Sequence, residues 1–286
     1  MHGNTQVSFP SGALTGEADV RRVLPLEGGF GVVCDSTPFH PVDHTWPDQP
    51  ADRGVLTAGG TAYPVEDCLI GAAPRDGSAP LAVGPAIPVR RGEEGWDWYV
   101  VHVLPADPGP LTGQRVRLDV DAGRRHGLSA GHTLCELAGL ALNRMLAPRW
   151  TKEAKPDALG APDFDKLAIT DSRISPRASV DHYRLGKSLR RKGFSAQDLA
   201  AGLPGIEAGV NALLSGWVAE DAPVGVATEG PGIDAPRHFR CGLAEGEVST
   251  PCGGTHVTRT GELGQVKIKL ELSGDGTGLR MEAACS

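Results

Sequence analysis

Aromatic residues are scarce in this chain of 286 residues, with 5 Trp, 3 Tyr and 6 Phe. Long apolar runs are missing: none approaches the ~20 residues a membrane helix needs. The N-terminal stretch MHGNTQVSFPSG has no basic patch followed by an apolar one, the mark of a secretory signal. No membrane partner and a cytoplasmic location are expected. An excess of positive charge is missing too. The chain carries 28 Lys and Arg against 35 Asp and Glu, a net charge of -7, whereas proteins that rely on phosphate contacts usually present a basic surface. DNA is therefore not an expected partner, and a nucleic-acid contact would need a local patch. The six cysteines, Cys34, Cys68, Cys135, Cys241, Cys252 and Cys285, lack the regular spacing of a disulfide scaffold, which favours a reducing compartment.

Apolar residues make up 40% of the chain, enough for a core, and 39 glycines with 23 prolines announce many turns. Residues 1–118 read as short strands between turn signals such as Gly59-Gly60 and Asp76-Gly77. Trp98–Leu104 is rich in β-formers and ends at Pro105. From His132 to Met145 the apolar residues fall at helical spacing, and Pro148 follows. Residues 151–165 read as a loop. Ser195 is a candidate N-cap for a second helix with Ile206, Val210, Leu213, Leu214 and Trp217 on one face. Gln265–Leu272 alternates polar and apolar residues, as a half-buried strand does. The expected fold is α+β. A small β-barrel-like domain (1–118) precedes a two-layer α/β sandwich (119–286).

Chemistry concentrates in Pro251-Cys252-Gly253-Gly254-Thr255-His256-Val257. A Cys and a His separated by three residues reach one metal ion, and two glycines let the backbone turn tightly between them. Alone, the pair also suits a buried cysteine beside a hydrogen-bonded histidine. A second pair raises its weight. His132 and Glu136 lie four residues apart on the first expected helix and share a face. Imidazole and carboxylate are ordinary zinc ligands, although an exposed polar pair at this spacing is common. Cys135 is a competing ligand whose expected role is packing. His102 reads as a packed strand residue, His126 and His182 as possible phosphate contacts, and His2, His40 and His238 as solvated. One basic segment stands out, with Arg184, Lys187, Arg190, Arg191 and Lys192 ending at Gly193. A solvated helix face is its default reading.

These motifs, in this order, resemble the editing domains of alanyl- and threonyl-tRNA synthetases, and the free-standing alanyl-tRNA editing proteins most of all. Pro251–Val257 followed by Thr258-Arg259-Thr260-Gly261-Glu262-Leu263-Gly264 resembles the family's second metal motif, and Asp121, Arg124-Arg125 and His132-Thr133 resemble the approach to the first. Thr37–Pro41 and Gln49–Gly54 resemble the glycine-rich stretch of the family's N-terminal barrel, and Ile206-Glu207 with Val210-Asn211 a helix between the metal motifs. The matches run from about residue 30 to residue 280.

The resemblance implies a Zn²⁺ site of His132, Glu136, Cys252 and His256. Glu136 stands where the family has a second histidine. As a ligand it would make the site formally neutral and a weaker Lewis acid; off the metal it would serve as a base. Backbone N–H groups at Gly253 and Gly254, with Thr255 beside them, would steady a developing oxyanion. Val42–Asp48 replaces a run of glycines, which makes His44 and Trp46, with Gln49, candidates for the amino-acid pocket; a surface turn is the equal alternative. The basic segment, with Arg124 and Arg125, becomes the expected grip on the acceptor end of an aminoacyl-tRNA.

The implied activity is ATP-independent hydrolysis of the ester of a mischarged aminoacyl-tRNA. It would act in trans, since the chain has no room for a synthetase catalytic domain. Ser- or Gly-tRNA-Ala, or a threonine-like substrate such as fluorothreonyl-tRNA, are the expected substrates. A zinc hydrolase of a small ester or amide, and a non-catalytic binding module clipped by zinc, are the alternatives.

Overall fold

The computed structural model describes residues 3–286; His2 lies outside them. The chain divides into two compact units. The first comprises residues 1–125, 226–238 and 251–255, and the second 126–225, 239–250 and 256–286. The class is α+β, as the sequence implies.

The first unit is built on an eight-stranded antiparallel sheet. Its strands run in the order Thr61–Val65, Gly54–Ala58, Arg115–Val120, Thr15–Leu26, Gly29–Cys34, Trp96–Leu104, Asp67–Pro74 and Ala82–Val83. The long strand Thr15–Leu26 pairs with Arg115–Val120 through its first half and with Gly29–Cys34 through its second, with a register shift between Val20 and Arg22. Val32, Leu56, Ile70, Trp98, Val100 and Leu118 are almost fully buried in its core. His102 sits in that core as well, with Nδ1 2.9 Å from the Val32 carbonyl and Nε2 2.8 Å from the Thr37 hydroxyl. Burial pushes its pKa down to about 4. His40, expected at the surface, is buried edge-on against Phe9.

The second unit packs helices on a four-stranded antiparallel sheet, ordered Ile169–Ser175, Ala178–Arg184, Gly278–Cys285 and Val266–Leu272. Helix α1 spans Ala122–Leu146, beginning ten residues before the apolar repeat that reveals it. Asp121 caps it by accepting from the Arg124 amide at 3.0 Å. The early turns are hard to read because Gly127 and Gly131 replace apolar residues. Those glycines let α1 approach the Ser175–Ala178 turn: a Cβ on Gly131 would lie 2.4 Å from the Ser175 carbonyl oxygen. Further along, Leu134, Leu137, Ala138, Ala141 and Leu142 are wholly buried, each leucine contributing about 1.5–3 kcal/mol.

The expected loop after α1 ends in a short helix, α2, over Phe164–Ala168. The basic segment is not one helix. Arg184 ends a strand, and only Lys187–Arg191 form a helix, α3. Helix α4 spans Leu199–Ala219 and begins after Asp198 rather than at Ser195. The Ser195 hydroxyl instead accepts weakly from Gln197 in the preceding turn, at 3.4 Å. Ile206, Val210, Leu214 and Trp217 form its buried face, and Leu213 is half-buried. Two polar side chains of α4 finish the edge strand Val266–Leu272. Asn211 bonds both the N–H and the C=O of Ile268, at 2.8 and 3.0 Å, and Glu207 accepts from the Leu270 amide at 2.7 Å. An edge that would otherwise invite foreign strands is thereby occupied.

Candidate metal centre

Within the second unit, α1 places His132 and Glu136 one turn apart, with Nε2 and Oε1 3.8 Å from each other. His256 meets them from the loop after Gly246–Pro251, its ring 4.7 Å from that of His132. The ligand atoms of His132, Glu136 and His256 lie within 4.8 Å of one another. Phe239 walls the group, its ring 4.6 Å from that of His256. Thr133 orients the site. Its hydroxyl accepts from the Val257 amide at 3.2 Å and lies 3.1 Å from Nδ1 of His256. A hydrogen bond of this kind on one ring nitrogen is the usual way a ligating imidazole is oriented. Thr133 was hidden in the sequence by its position next to His132. Two imidazoles and a carboxylate at this separation suit a small divalent ion such as zinc.

Cys135, one residue from Glu136, faces a different set of partners. Its Sγ lies 3.5 Å from both carboxylate oxygens of Asp181. Burial, then the charge of Asp181, pushes its thiol well above the ordinary range, so it is a poor thiolate donor.

Within the first unit, Gln49 is buried and holds Thr255 from both sides. Its Nε2 donates to the Thr255 hydroxyl at 2.9 Å, and its Oε1 accepts from the Thr255 amide at 3.0 Å. Gln49 thus fixes the backbone and hydroxyl of Thr255. The Cys252 amide donates to the Arg237 carbonyl at 3.0 Å. The altered loop divides. The His44 side chain is tucked against Trp98, with ring centroids 5.6 Å apart, while Trp46 is 42% exposed. Asp43 anchors this loop through Thr45, Trp46 and Arg91. Burial alone would raise its carboxyl pKa, but the Arg91 guanidinium and the hydrogen bonds hold it below the usual value.

The basic candidates separate by burial. Arg125, expected to grip a nucleic acid, is instead buried and ion-paired with Asp52; it also donates to the Pro38 and Ala13 carbonyls. A guanidinium spent in this way is a structural strut and not a surface contact. Arg124 donates to the Ala51 carbonyl at 3.1 and 3.2 Å. Arg184, Lys187, Arg190, Arg191 and Lys192 are all exposed, and none forms an ion pair among the described residues.

Residues 246–281 match the family described as threonyl and alanyl tRNA synthetase second additional domain. The chain is 30% identical over 275 residues to an alanine–tRNA ligase of Halorubrum lacusprofundi, covering 91% of this chain and 23% of that protein. It is 30% identical over 266 residues to one from Pyrobaculum neutrophilum, covering 89% and 24%. With one from Cupriavidus necator it shares 26% over 287 residues, covering 98% and 27%. The chain spans about a quarter of the length of these curated relatives. Through nine-tenths of its residues the chain is similar to part of alanine–tRNA ligases, and its residues 246–281 match the second additional domain of the threonyl and alanyl tRNA synthetases.

Proposed function

We propose that the chain hydrolyses the ester joining a wrong amino acid to the end of a tRNA. The observation that carries this reading is the convergence of His132, Glu136 and His256 in a chain similar to alanine–tRNA ligases over almost all its length. Cys252 is proposed as the fourth donor. Only Gly253, Gly254 and Thr255 separate it from His256, a spacing at which a thiolate and an imidazole are able to reach one ion. A zinc ion held by this set would supply Lewis acidity to an ester carbonyl or hold the terminal ribose.

The remaining work falls to the chain's own groups. Thr133 fixes the His256 ring. The amides of Gly253 and Gly254, with no side chains in the way, are proposed to donate to the carbonyl oxygen as negative charge develops there. Glu136 is the proposed base where it stands free of the metal, and a charge-neutralising ligand where it does not. The exposed Arg184, Lys187, Arg190, Arg191 and Lys192 are proposed to hold phosphates of the acceptor stem, contacts that position without reading sequence.

A panel of labelled esters tests the reading: Ser-tRNA-Ala, Gly-tRNA-Ala, Ala-tRNA-Ala, Thr-tRNA-Thr and fluorothreonyl-tRNA-Thr, each with wild type and Cys252→Ala. Rapid release from one or two, abolished by the substitution, is expected and names the amino acid. Release only from free aminoacyl esters would transfer the site to a small-molecule hydrolase. Release from none would contradict hydrolysis of these substrates.

A further inference from the structure

Two arginines meet beside the Cys252 loop, and the reaction just proposed uses neither. Gly253 marks the place. A Cβ built there would lie 3.6 Å from Nη1 of Arg91 and 3.9 Å from Nη2 of Arg237, so both guanidiniums converge on one point of the first unit. Arg237 is 5% exposed. Its Nη1 donates to the Ile233 carbonyl at 3.2 Å, and its plane lies over Phe9, 5.2 Å from the ring centroid. Arg91 spends Nη2 on Asp43 and leaves Nη1 toward the same point. The Nε of each arginine is buried and also makes no hydrogen bond among the described residues.

Charge favours an anion there. Asp43 offsets Arg91. Asp234 acts on Arg237 only from a distance, and Arg237 has no ion pair among the described residues. Burial, then the neighbouring Arg91 charge, lowers the Arg237 pKa to about 10, with Cys252, Asp43 and Asp234 opposing. The guanidinium stays charged at neutral pH. A buried cation with unfilled donors is costly, and a planar fork of N–H groups is the natural receptor for a carboxylate or phosphate oxygen pair.

We propose that Arg91 and Arg237 form a receptor for an oxyanion carried by the substrate, placed beside the metal-ligand loop. The proposal rests on the hydrolase reading for the word substrate, but the receptor itself does not. The oxyanion has two chemical sources, the last phosphodiester of the nucleic acid or a carboxylate on the amino acid. A Cβ at Gly253 would stand in van der Waals contact with both guanidiniums, which places this backbone position at the mouth of the receptor.

Two measurements test it. Inorganic phosphate is titrated into the full chain while the arginine Nε–H resonances are followed by NMR, assigned with Arg91→Gln and Arg237→Gln. The expected result is saturable movement of both resonances, with the response of each abolished when the other arginine is replaced. Hydrolysis is then measured on seryl-adenosine, on seryl-cytidylyl-adenosine, which adds a phosphodiester, and on aspartyl-adenosine, which adds a carboxylate. Arg237→Gln is expected to lower kcat/KM by about tenfold on one charged substrate and to spare seryl-adenosine. Selective loss on the dinucleotide assigns a phosphate, and selective loss on the aspartyl ester assigns a carboxylate. Should Arg237→Gln fail to fold, Arg91→Gln carries the same comparison from a more exposed position. Resonances unmoved by phosphate, with equal loss on all three esters, would overturn the receptor. Phosphate-sensitive resonances in a protein that cleaves none of the esters would keep the receptor and remove the hydrolase reading.

Discussion

At the scale of single residues, burial decides which charges act and which only hold. Arg125 and Arg190 look alike in the sequence. One is locked to Asp52, a partner 73 positions away, and the other is exposed. Asp165 shows the same principle for an acid. Its carboxylate accepts from the Tyr183 hydroxyl at 2.8 Å, yet burial raises its pKa to about 7 from 3.8. The folded chain keeps that proton where the unfolded chain has lost it. Stability is therefore expected to fall as pH rises from about 4 to about 7 and to level off above. Asp165→Asn should remove this slope. Urea denaturation of both proteins across that window checks it, and because His102 titrates in both, its opposing effect cancels in the comparison. Parallel profiles for the two proteins would contradict the assignment.

At the scale of elements, the strands were the most legible part. The β-formers of Trp98–Leu104 and the alternation of Gln265–Leu272 predict strands, which the structure contains over Trp96–Leu104 and Val266–Leu272. The helical repeat after His132 predicts α1, and the four-residue spacing predicts that His132 and Glu136 share its face. The beginning of α1 was not legible. Its early turns are held by backbone approach through glycine, which leaves no apolar periodicity to read. Likewise nothing local to Thr133, Arg91 or Arg237 reveals partners more than a hundred residues distant or loops that meet only in the fold. Gly131 supplies a test of the packing. Gly131→Ala would drive a methyl group into the Ser175 and Ala178 carbonyls, backbone atoms that cannot step aside. A loss of about 1–3 kcal/mol is expected, together with weaker metal retention, because the next residue is His132. Thermal denaturation and zinc content check both; an unchanged midpoint would show that α1 shifts freely.

At the scale of the whole molecule, the net charge of -7 opposes a polyanionic substrate, so productive binding needs a local exception. The exposed run from Arg184 to Lys192 is the one proposed. Charge reversal at Lys187 and Arg190 is expected to lower kcat/KM on aminoacyl-tRNA, and to flatten its salt dependence by about one unit of slope for each phosphate no longer held. Hydrolysis of a short aminoacyl ester should be unaffected. Equal loss on both substrates would place these residues in folding and not in RNA contact.

The proposed ester hydrolysis depends on a metal ion held by His132, Glu136, Cys252 and His256. The most direct measurement is the deacylation rate of the best substrate after removal of metal by a chelator and again after addition of one equivalent of zinc, for wild type and for Cys252→Ala. Chelation is expected to abolish turnover, zinc to restore it in wild type, and the variant to bind zinc weakly and stay inactive. Full activity in the chelated protein, or in the variant, would contradict that dependence.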